Sequence, residues 1–430
     1  MRPCSSNSLS DRILRLILPV GSLCIAILLG LPGAIYAPDA GQYRLMALGR
    51  YSSVPAPFSA RILGPAIAGW LGRITGLGVD AGFLALGMAC LIALLVLVAR
   101  LLWSLQAPAI IFAAIFLMPF WVDVFHDYYL PDPLHAAILA AMLLCLLFGH
   151  SGWALLLLFP AYLARESTSL VAVCLVFACW RRIRLQSAAV GLAALLGAAL
   201  ISRHFAQGGP ASVHGMSGGA YIAGKIVWSF FKNVLGFPLW SNTLPECNPV
   251  WVRAIPPGLQ LGAIREVGIC EPSLWGPSRL LLAWFGLFGI GPALAFASWR
   301  RIVSPTVPPE SRLPGLTIIL RFSVLYGLIS VLITPLLGAS ADRLVEYGWP
   351  FYLIALPWFL MRAYNLHDSR ATGFLALHLL TCWFGWLGFR QMTPNFLIPG
   401  VAVLALNGVS YALLRRYRTA PSQGIPSVTY

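Results

Sequence analysis

Apolar segments of membrane-spanning length recur along the whole chain and constrain its fold more than any other feature. Runs of roughly 20 apolar residues are long enough to cross the hydrocarbon core of a bilayer. Only 10% of the 430 residues are charged, whereas soluble domains carry about 25%. Because backbone polar groups must be satisfied within a bilayer, such spans form helices. The sequence therefore predicts an all-α, polytopic transmembrane helical bundle.

We place about twelve spans along the chain. The predicted spans are residues 13–36, 81–104, 107–122, 132–149, 153–166, 168–180, 187–202, 278–298, 314–337, 350–362, 371–389 and 395–413. They define an N-terminal transmembrane module (1–202), a long extracytoplasmic loop (203–277) and a C-terminal transmembrane module (278–430). The first outer loop, residues 37–80, contains "APFSARILGPAIAGWLGRITG", whose apolar spacing predicts an interfacial helix.

Basic residues give the orientation of these spans. Two of the 29 basic residues are Lys, so the net charge of +15 comes almost entirely from Arg. The Arg clusters are Arg2, Arg12 and Arg15; Arg181, Arg182 and Arg184; Arg300, Arg301 and Arg312; Arg362 and Arg370; Arg415, Arg416 and Arg418. With twelve spans these clusters share one face, which the positive-inside rule makes cytoplasmic. Both termini are then cytoplasmic, and the dispersal of Arg argues against nucleic-acid binding.

Acidic residues collect on the opposite, extracytoplasmic face of this map. Three of the 14 acidic residues (Asp11, Glu310 and Asp368) are predicted to be cytoplasmic. The others are Asp39, Asp80, Asp123, Asp127, Asp132, Glu166, Glu246, Glu266, Glu271, Asp342 and Glu346. Acidic residues contribute little to topology, and ionisable groups at membrane depth commonly have a function. We therefore expect any chemistry at the extracytoplasmic face.

Asp39 directly follows the first predicted span and is the first candidate reactive group. It precedes Tyr43, Arg44 and Arg50 in the first outer loop. A carboxylate in this position can take a proton from an attacking hydroxyl, while basic groups hold an anionic headgroup. The alternative is a helix cap, because a Pro-Asp pair before "AGQYRLMALGR" is a good N-cap context.

The next outer loop, "VDVFHDYYLPDPLHAA", places several acidic residues and one His within ten positions. Asp and His side chains bind divalent metals, so His126, Asp127 and Asp132 are weak candidate ligands. A strict metal-binding spacing is missing from this stretch. The alternative is a capped turn in which Asp132 opens the following helix, with Pro133 in its first turn.

Two further charged groups lie at predicted outer helix ends. In "YLARESTSL", Arg165 and Glu166 are adjacent and so point in different directions on a helix. Each therefore needs its own partner, either in the protein or in a ligand. In "GASADRLVEYGWPFYLIALP", Asp342 and Glu346 share a helix face, and Arg343 or a ligand could supply the neighbouring cation.

The nine Cys residues divide into two groups. Seven lie in or beside apolar segments and are typical small core residues. Cys247 and Cys270 share the long loop, and a disulfide between them is plausible if that loop is extracytoplasmic. The first apolar run, "GSLCIAILLGLPGAIYA", lacks a clear small-residue cleavage site, so we interpret it as a retained span.

Taken together, these segments resemble the C-superfamily of integral-membrane glycosyltransferases. The resemblance rests on the Asp after the first span, then "PFSARILGP", "HDYYLPD", "ARE" and an outer "ADR....WPF" element. It covers residues 1–200 in organisation and 338–352 by one short element. It implies transfer of a sugar from a polyprenyl-phosphate carrier to a glycan, lipid or protein acceptor outside the cytoplasm. It also implies that Asp39 is the general base, although the family often shows a second acid in this loop.

The expected reaction is an inverting glycosyl transfer that uses a lipid phosphate as the leaving group. Arg61, Arg165 and Arg343 would hold this phosphate and stabilise its growing charge. The other candidate substrate-binding residues are Tyr43, Asp127, Glu166 and Asp342. We expect no nucleotide cofactor, because the chain lacks a Gly-rich phosphate loop, and use of a divalent metal stays open.

Two other functions fit the same span count. About twelve spans with both termini inside is a common layout for a secondary transporter, which would predict related halves with broken helices. A polymerase or flippase of cell-envelope polysaccharide assembly is the other alternative. The Arg richness and the lack of an N-x-S/T sequon favour a multi-pass protein of the bacterial inner (plasma) membrane.

Overall fold

The computed structural model describes most of the chain and is helical apart from one small sheet. The described ranges are residues 9–31, 39–55, 57–179, 185–206, 218–243, 247–260, 263–303, 313–337, 341–363, 369–390 and 396–416. The helices are α1 (Leu9–Gly30), α2 (Ala40–Ala47), α3 (Leu63–Thr75), α4 (Val79–Ser104), α5 (Ala109–Phe116), α6 (Phe120–His126), α7 (Asp132–Leu147), α8 (Ser151–Leu156), α9 (Leu158–Ala164), α10 (Thr168–Cys179), α11 (Leu185–Ala206), α12 (Gly218–Phe230), α13 (Trp275–Gly286), α14 (Gly291–Val303), α15 (Leu316–Leu337), α16 (Ala341–Glu346), α17 (Leu356–Ala363), α18 (Ser369–Arg390) and α19 (Leu397–Arg416). The strands are β1 (Leu239–Ser241), β2 (Pro249–Ala254) and β3 (Glu266–Cys270), and single π-helical turns occupy Phe231–Leu235 and Phe351–Ala355.

Several helices are long and apolar enough to cross a membrane, so the chain is a multi-pass membrane protein. Within the described ranges these are six helices: α1, α4, α11, α15, α18 and α19. The count rises to eight if the bent pairs α5–α6 and α13–α14 are each one span. The all-α membrane architecture is thus confirmed. The finer prediction of about twelve spans is not confirmed.

The core lies between α4, α5, α7, α10 and α15. On α4, Leu91, Leu94 and Leu101 are fully buried, and their spacing places them on one helix face. Phe112 and Phe116 of α5 are also buried, and their tilted rings pack with centroids 5.7 Å apart. This packing holds the helix ends that carry the charged residues in a fixed arrangement.

Two pairs of consecutive helices are bent at a short break, and tryptophan and asparagine side chains satisfy part of the freed backbone at each break. The α5–α6 pair bends by 41°. There, the indole nitrogen of Trp121 donates to the Ile115 carbonyl at 2.8 Å, and that of Trp383 donates to the Leu117 carbonyl at 3.0 Å. Such partners are required because freed backbone groups have no water to bind inside a bilayer.

The second break, between α13 and α14, bends by 66° and is stabilised by Asn407 of α19. Its side-chain amide donates to the carbonyls of Phe285 at 2.8 Å and Gly289 at 3.2 Å. Its carbonyl accepts from the Ala293 backbone N–H at 3.1 Å. A single buried amide therefore serves both sides of the break.

The predicted first outer loop contains α2 and α3, and α3 packs closely on α4 through small residues. A Cβ added at Gly82 of α4 would overlap the Ala68 carbonyl of α3. A Cβ at Gly72 would lie 2.5 Å from the Gly78 carbonyl. The helix expected in "APFSARILGPAIAGWLGRITG" is present as α3. Its position at the membrane interface is not confirmed.

The long predicted loop, 203–277, also contains regular structure. It includes the end of α11, then α12, the first π-turn and the antiparallel sheet with strand order β1-β3-β2. Cys247 and Cys270 form a disulfide that closes the sheet region. The described part of this loop therefore forms a small subdomain that adjoins α12 and α13.

We predict that Gly82→Ala destabilises the protein by about 1–3 kcal/mol, the usual cost of overpacking. The added methyl group would force α3 away from the Ala68 carbonyl. Gly152→Ala is the matched control, because a Cβ at Gly152 meets no described atom within 4 Å. Thermal unfolding of purified protein in detergent measures both variants, and equal melting temperatures would contradict the close α3–α4 packing.

Candidate functional site

Asp39 faces a group of charged side chains rather than its own helix. It occupies the N-cap position of α2, but its side chain makes no capping hydrogen bond within the described part of the chain. Its carboxylate is 34% exposed, and Oδ2 lies 4.0 Å from Nη1 of Arg343. The capping interpretation therefore does not hold for this carboxylate.

Asp132 is the centre of this group. It forms an ion pair with Arg165, and its Oδ2 lies 2.9 Å from Nε of Arg343. The Tyr347 hydroxyl donates to Asp132 Oδ1 at 2.9 Å and accepts from Arg343 Nε at 3.2 Å. The Arg165 guanidinium also lies 4.2 Å from the centre of the Tyr347 ring, a cation–π contact. We call Asp39, Asp132, Arg165, Arg343 and Tyr347 the polar cluster.

Local backbone structure explains how these side chains come together. Asp132 is the first residue of α7, where the helix dipole stabilises a carboxylate. Arg165 has extended backbone between α9 and α10, so the chain breaks where its side chain turns inward. The Thr168 hydroxyl donates to the Arg165 carbonyl at 2.8 Å and lies 3.1 Å from Nε2 of His135. This hydrogen-bonded turn fixes the direction of Arg165.

A second ion pair supports the polar cluster from the side of α2. Arg61 donates to both carboxylate oxygens of Glu166, at 2.8 and 2.5 Å, and to the Tyr43 hydroxyl at 2.7 Å. Burial alone would raise the pKa of Glu166, but the hydrogen bonds and charge of Arg61 lower it to about 2. Glu166 thus pairs with Arg61, whereas Arg165 pairs with Asp132. The sequence had predicted that the adjacent residues Arg165 and Glu166 need separate partners.

Four further acidic residues lie next to the polar cluster: Asp123, Asp127, Asp342 and Glu346. Asp123 lies 2.7 Å from Arg390, and Asp342 lies 3.0 Å from Arg279. Arg343 therefore does not serve as the main partner of Asp342, which corrects one expectation from the sequence.

Burial shifts the pKa values of Glu346 and Asp127. Burial, followed by the charges of neighbouring acidic residues, raises the pKa of Glu346, which also hydrogen-bonds to Asp123. Burial likewise raises the pKa of Asp127 to about 6, with Asp123 and Asp342 adding to the shift and Arg343 opposing it. The pKa of Asp127 thus falls close to physiological pH.

A small cavity of about 30 Å³ connects these acidic residues to the polar cluster. Its polar lining includes Asp127, Asp132, Arg343, Glu346 and Tyr347. The cavity has room for about two water molecules, at ≳ 10–15 Å³ per water. Asp127 and Arg343 therefore line the same cavity, and Asp39, which is outside its lining, lies 4.0 Å from Arg343.

Some predicted residues do not join the polar cluster. Arg44 instead pairs with Asp80 at 2.7 Å, at an exposed position. His126 Nδ1 lies 3.3 Å from the Gly30 carbonyl. Across the described ranges, no group of three or more His, Cys, Asp or Glu side chains has an arrangement that could hold a metal ion.

Sequence reasoning missed several residues that the structure brings to this end of the bundle. Tyr347 lies four residues after Arg343 on the same helical stretch, a spacing that could have indicated its contact. Arg279 and Arg390 lie at the ends of predicted spans, where basic residues usually indicate topology. Lys225 of α12 interacts electrostatically with Asp39 and Arg343, and nothing in its apolar surroundings indicated this.

An apolar groove of about 530 Å³ lies along the helices that flank the Arg165 turn. It runs along α9, α10 and α11, and its lining includes Tyr162, Ser169, Val173, Phe177 and Leu195. Ser169 is only three residues beyond Glu166 in the chain, whereas Phe177 lies two helical turns further along α10. The groove thus follows α10 away from the turn that holds Arg165 and Glu166.

No protein-family model, curated protein or solved structure matches the chain. The functional inference therefore rests on the polar cluster, the acidic residues behind it and the adjoining groove.

We predict that Glu166→Gln destabilises the protein by about 2 kcal/mol, because Arg61 stays buried without its counter-charge. This is below the ~3–5 kcal/mol of a fully buried pair, since the Glu166 side chain is 36% exposed. In the wild type, the ion pair contributes its full stabilisation above the ordinary Glu pKa of 4.5. This stabilisation is lost as the pH falls toward the folded-state pKa of about 2. Melting temperatures measured from pH 7 to pH 3 should therefore converge for the two proteins.

Glu271→Gln is the matched control for this measurement, because Glu271 is exposed. Exposed substitutions usually change stability by less than about 0.5 kcal/mol. A difference between wild type and Glu166→Gln that does not depend on pH would contradict the ion-pair interpretation.

Proposed function

We propose that the protein is an integral-membrane glycosyltransferase that moves a sugar from a polyprenyl-phosphate carrier to an acceptor hydroxyl. The acceptor belongs to a glycan, a lipid or a protein. The single observation that carries the proposal is the approach of Asp39 to 4.0 Å from Arg343. This contact brings a partly exposed carboxylate next to a guanidinium group that is itself paired with Asp132. The apolar groove along α10 offers a surface for a lipid tail.

In the proposed reaction, Asp39 takes the proton from the acceptor hydroxyl. The acceptor oxygen attacks the anomeric carbon, and the bond from that carbon to the lipid phosphate oxygen breaks. The phosphate leaves with the electron pair, and the configuration at the sugar inverts. A lipid phosphate is already a good leaving group, so the reaction needs no strong general acid.

Arg343 and Arg165 are the proposed phosphate-binding groups. Both guanidinium groups contact Asp132 and Tyr347, so their positions are set before any ligand binds. Preorganised cations of this kind stabilise charge as it develops on a leaving group. The 4.0 Å gap between Asp39 and Arg343 is longer than a hydrogen bond. A phosphate oxygen can therefore bind Arg343 while Asp39 contacts the acceptor.

The groove along α10 supports a lipid-linked donor. Its lining is mostly apolar, and it begins within three residues of Glu166. The part of α10 between Ser169 and Phe177 is about 12 Å long, at 1.5 Å per residue. A polyprenyl tail in this groove would leave its phosphate beside Arg165.

The proposal includes an orientation and a span count. If the four shorter apolar helical stretches also cross the membrane, they bring the eight candidate spans to twelve. Both termini would then be cytoplasmic and the polar cluster extracytoplasmic, in a bacterial inner membrane, with α3 in the membrane interface.

One observation favours a secondary transporter as the second candidate. Transporters commonly use broken helices to bind ions or substrates, and two spans here are bent. However, the freed carbonyls of Leu117 and Gly289 already accept hydrogen bonds from Trp383 and Asn407. Solute counterflow without sugar transfer by the purified protein would favour the transporter. Products with many added sugars would favour a polysaccharide polymerase.

We predict that Asp39→Asn lowers glycosyl transfer by about 100-fold or more, the usual loss when a general base is removed. The measurement is product formation from a polyprenyl-phosphate sugar in proteoliposomes. Asp80→Asn is the matched control, because Asp80 is 45% exposed and pairs with Arg44 outside the polar cluster. Nearly full activity in Asp39→Asn would exclude Asp39 as the base.

We predict a decline in kcat/KM as pH falls through about 6, because Asp127, whose pKa burial raises to about 6, then becomes neutral. A neutral Asp127 no longer balances the charge of Arg343. In Asp127→Asn the overall activity should be low and this pH limb should vanish. A limb near pH 6 that persists in this variant would assign the titration to another group.

A further inference from the structure

The three-stranded sheet carries an exposed apolar stripe across one face. Along β3, Gly268 and Cys270 are buried, whereas Ile269 between them is 38% exposed. The strand register pairs Ile269 with Leu239 of β1 on one side and Trp251 of β2 on the other. Directly paired residues share a face of the sheet, and Trp251 is 51% exposed. The stripe therefore consists of Leu239, Ile269 and Trp251.

The charges of the sheet are also divided between its two faces. Glu266 is the one acidic residue within the three strands, and it pairs with Ala254 on the face opposite the stripe. Arg253 pairs with Val267 on the same face as the stripe and is exposed. This face thus combines apolar side chains with a basic residue, a composition that suits anionic lipid headgroups.

Short connections keep the sheet close to the ends of the membrane helices. β1 begins four residues after the π-turn ends at Leu235, and β3 ends five residues before α13 begins at Trp275. The Ser273 backbone N–H donates to the Gly236 carbonyl at 2.7 Å, which joins the two connections. A four-residue connection spans at most about 14 Å, so the sheet cannot lie far from the bilayer surface.

The two connections themselves have the features of a membrane interface. The ring of Trp275 contacts Lys232 at 5.2 Å and Arg279 at 5.1 Å. Trp beside long basic side chains is typical of helix ends at the headgroup level. Phe237 before β1 and Leu274 after β3 are 39% and 62% exposed. Exposed apolar surface is thus continuous from the membrane helices to the sheet.

We propose that this face of the sheet docks onto the bilayer, with Trp251 and Ile269 inserted at the level of the lipid headgroups. The docking keeps the extramembrane subdomain flat against the membrane, where the connections already hold it. The proposal does not depend on the reaction that the polar cluster performs.

The test uses a fluorophore attached to full-length protein in nanodiscs of phosphatidylcholine and phosphatidylglycerol. NBD is attached to Trp251→Cys and, as matched control, to Ala254→Cys, an exposed position on the opposite face of the same strand. Docked apolar faces lie about 5–10 Å into the headgroup boundary. Lipids with a nitroxide at acyl carbon 5 should therefore quench the label at 251 at least about twofold more than at 254. Aqueous iodide should show the reverse order.

Three controls keep this result interpretable. Ile269→Cys tests the stripe at a second position and should behave like Trp251→Cys. Mass mapping of the Cys247–Cys270 disulfide shows that each variant has formed the sheet, and unsubstituted protein gives the background from native thiols. Equal lipid quenching on both faces would overturn the proposal. So would stronger iodide quenching at 251, which would instead leave the stripe free for a soluble protein partner.

Discussion

The arrangement of this end of the bundle depends on the placement of Asp132 between two guanidinium groups. Arg165 comes from the break between α9 and α10, Arg343 from α16, and Asp132 from the start of α7. Leaving one of these charges buried and unpaired would be strongly destabilising, so the three elements are tied together. Tyr347 completes the arrangement by contacting all three. A ligand that binds the polar cluster therefore meets a site that the protein has already assembled.

The cavity beside the polar cluster brings opposite charges close together. Arg343 lines the same cavity as Asp127, Asp132 and Glu346. The acidic residues tolerate this crowding because Arg279 and Arg390 neutralise two of their neighbours. Burial and the neighbouring acidic residues raise the pKa of Glu346, which disfavours its charged form. The crowded acidic residues therefore carry less negative charge than their number implies.

Sequence patterns predicted the apolar helices well, because hydrophobic length is a local property. They also indicated that Arg165 and Glu166 need different partners, since adjacent residues diverge on a helix. The partners themselves could not be predicted, because Arg61 and Glu166 are 105 residues apart. The two bends were also missed: Trp383 and Asn407 stabilise them from distant helices. The contacts of Tyr347 with Asp132 and Arg165 also join residues that are far apart in the sequence. From the sequence, a tyrosine near a span end would instead be assigned to an aromatic belt.

The bond from Tyr347 to Asp132 joins residues 215 positions apart, and this separation has a consequence for biogenesis. Chain synthesis proceeds at ~5–20 residues per second, so Asp132 and Arg165 enter the membrane on the order of 10–40 s before Tyr347 exists. During that interval Arg165 and Asp132 can pair with each other but not with Arg343 or Tyr347. The polar cluster can therefore be completed only after α16 has joined the N-terminal helices.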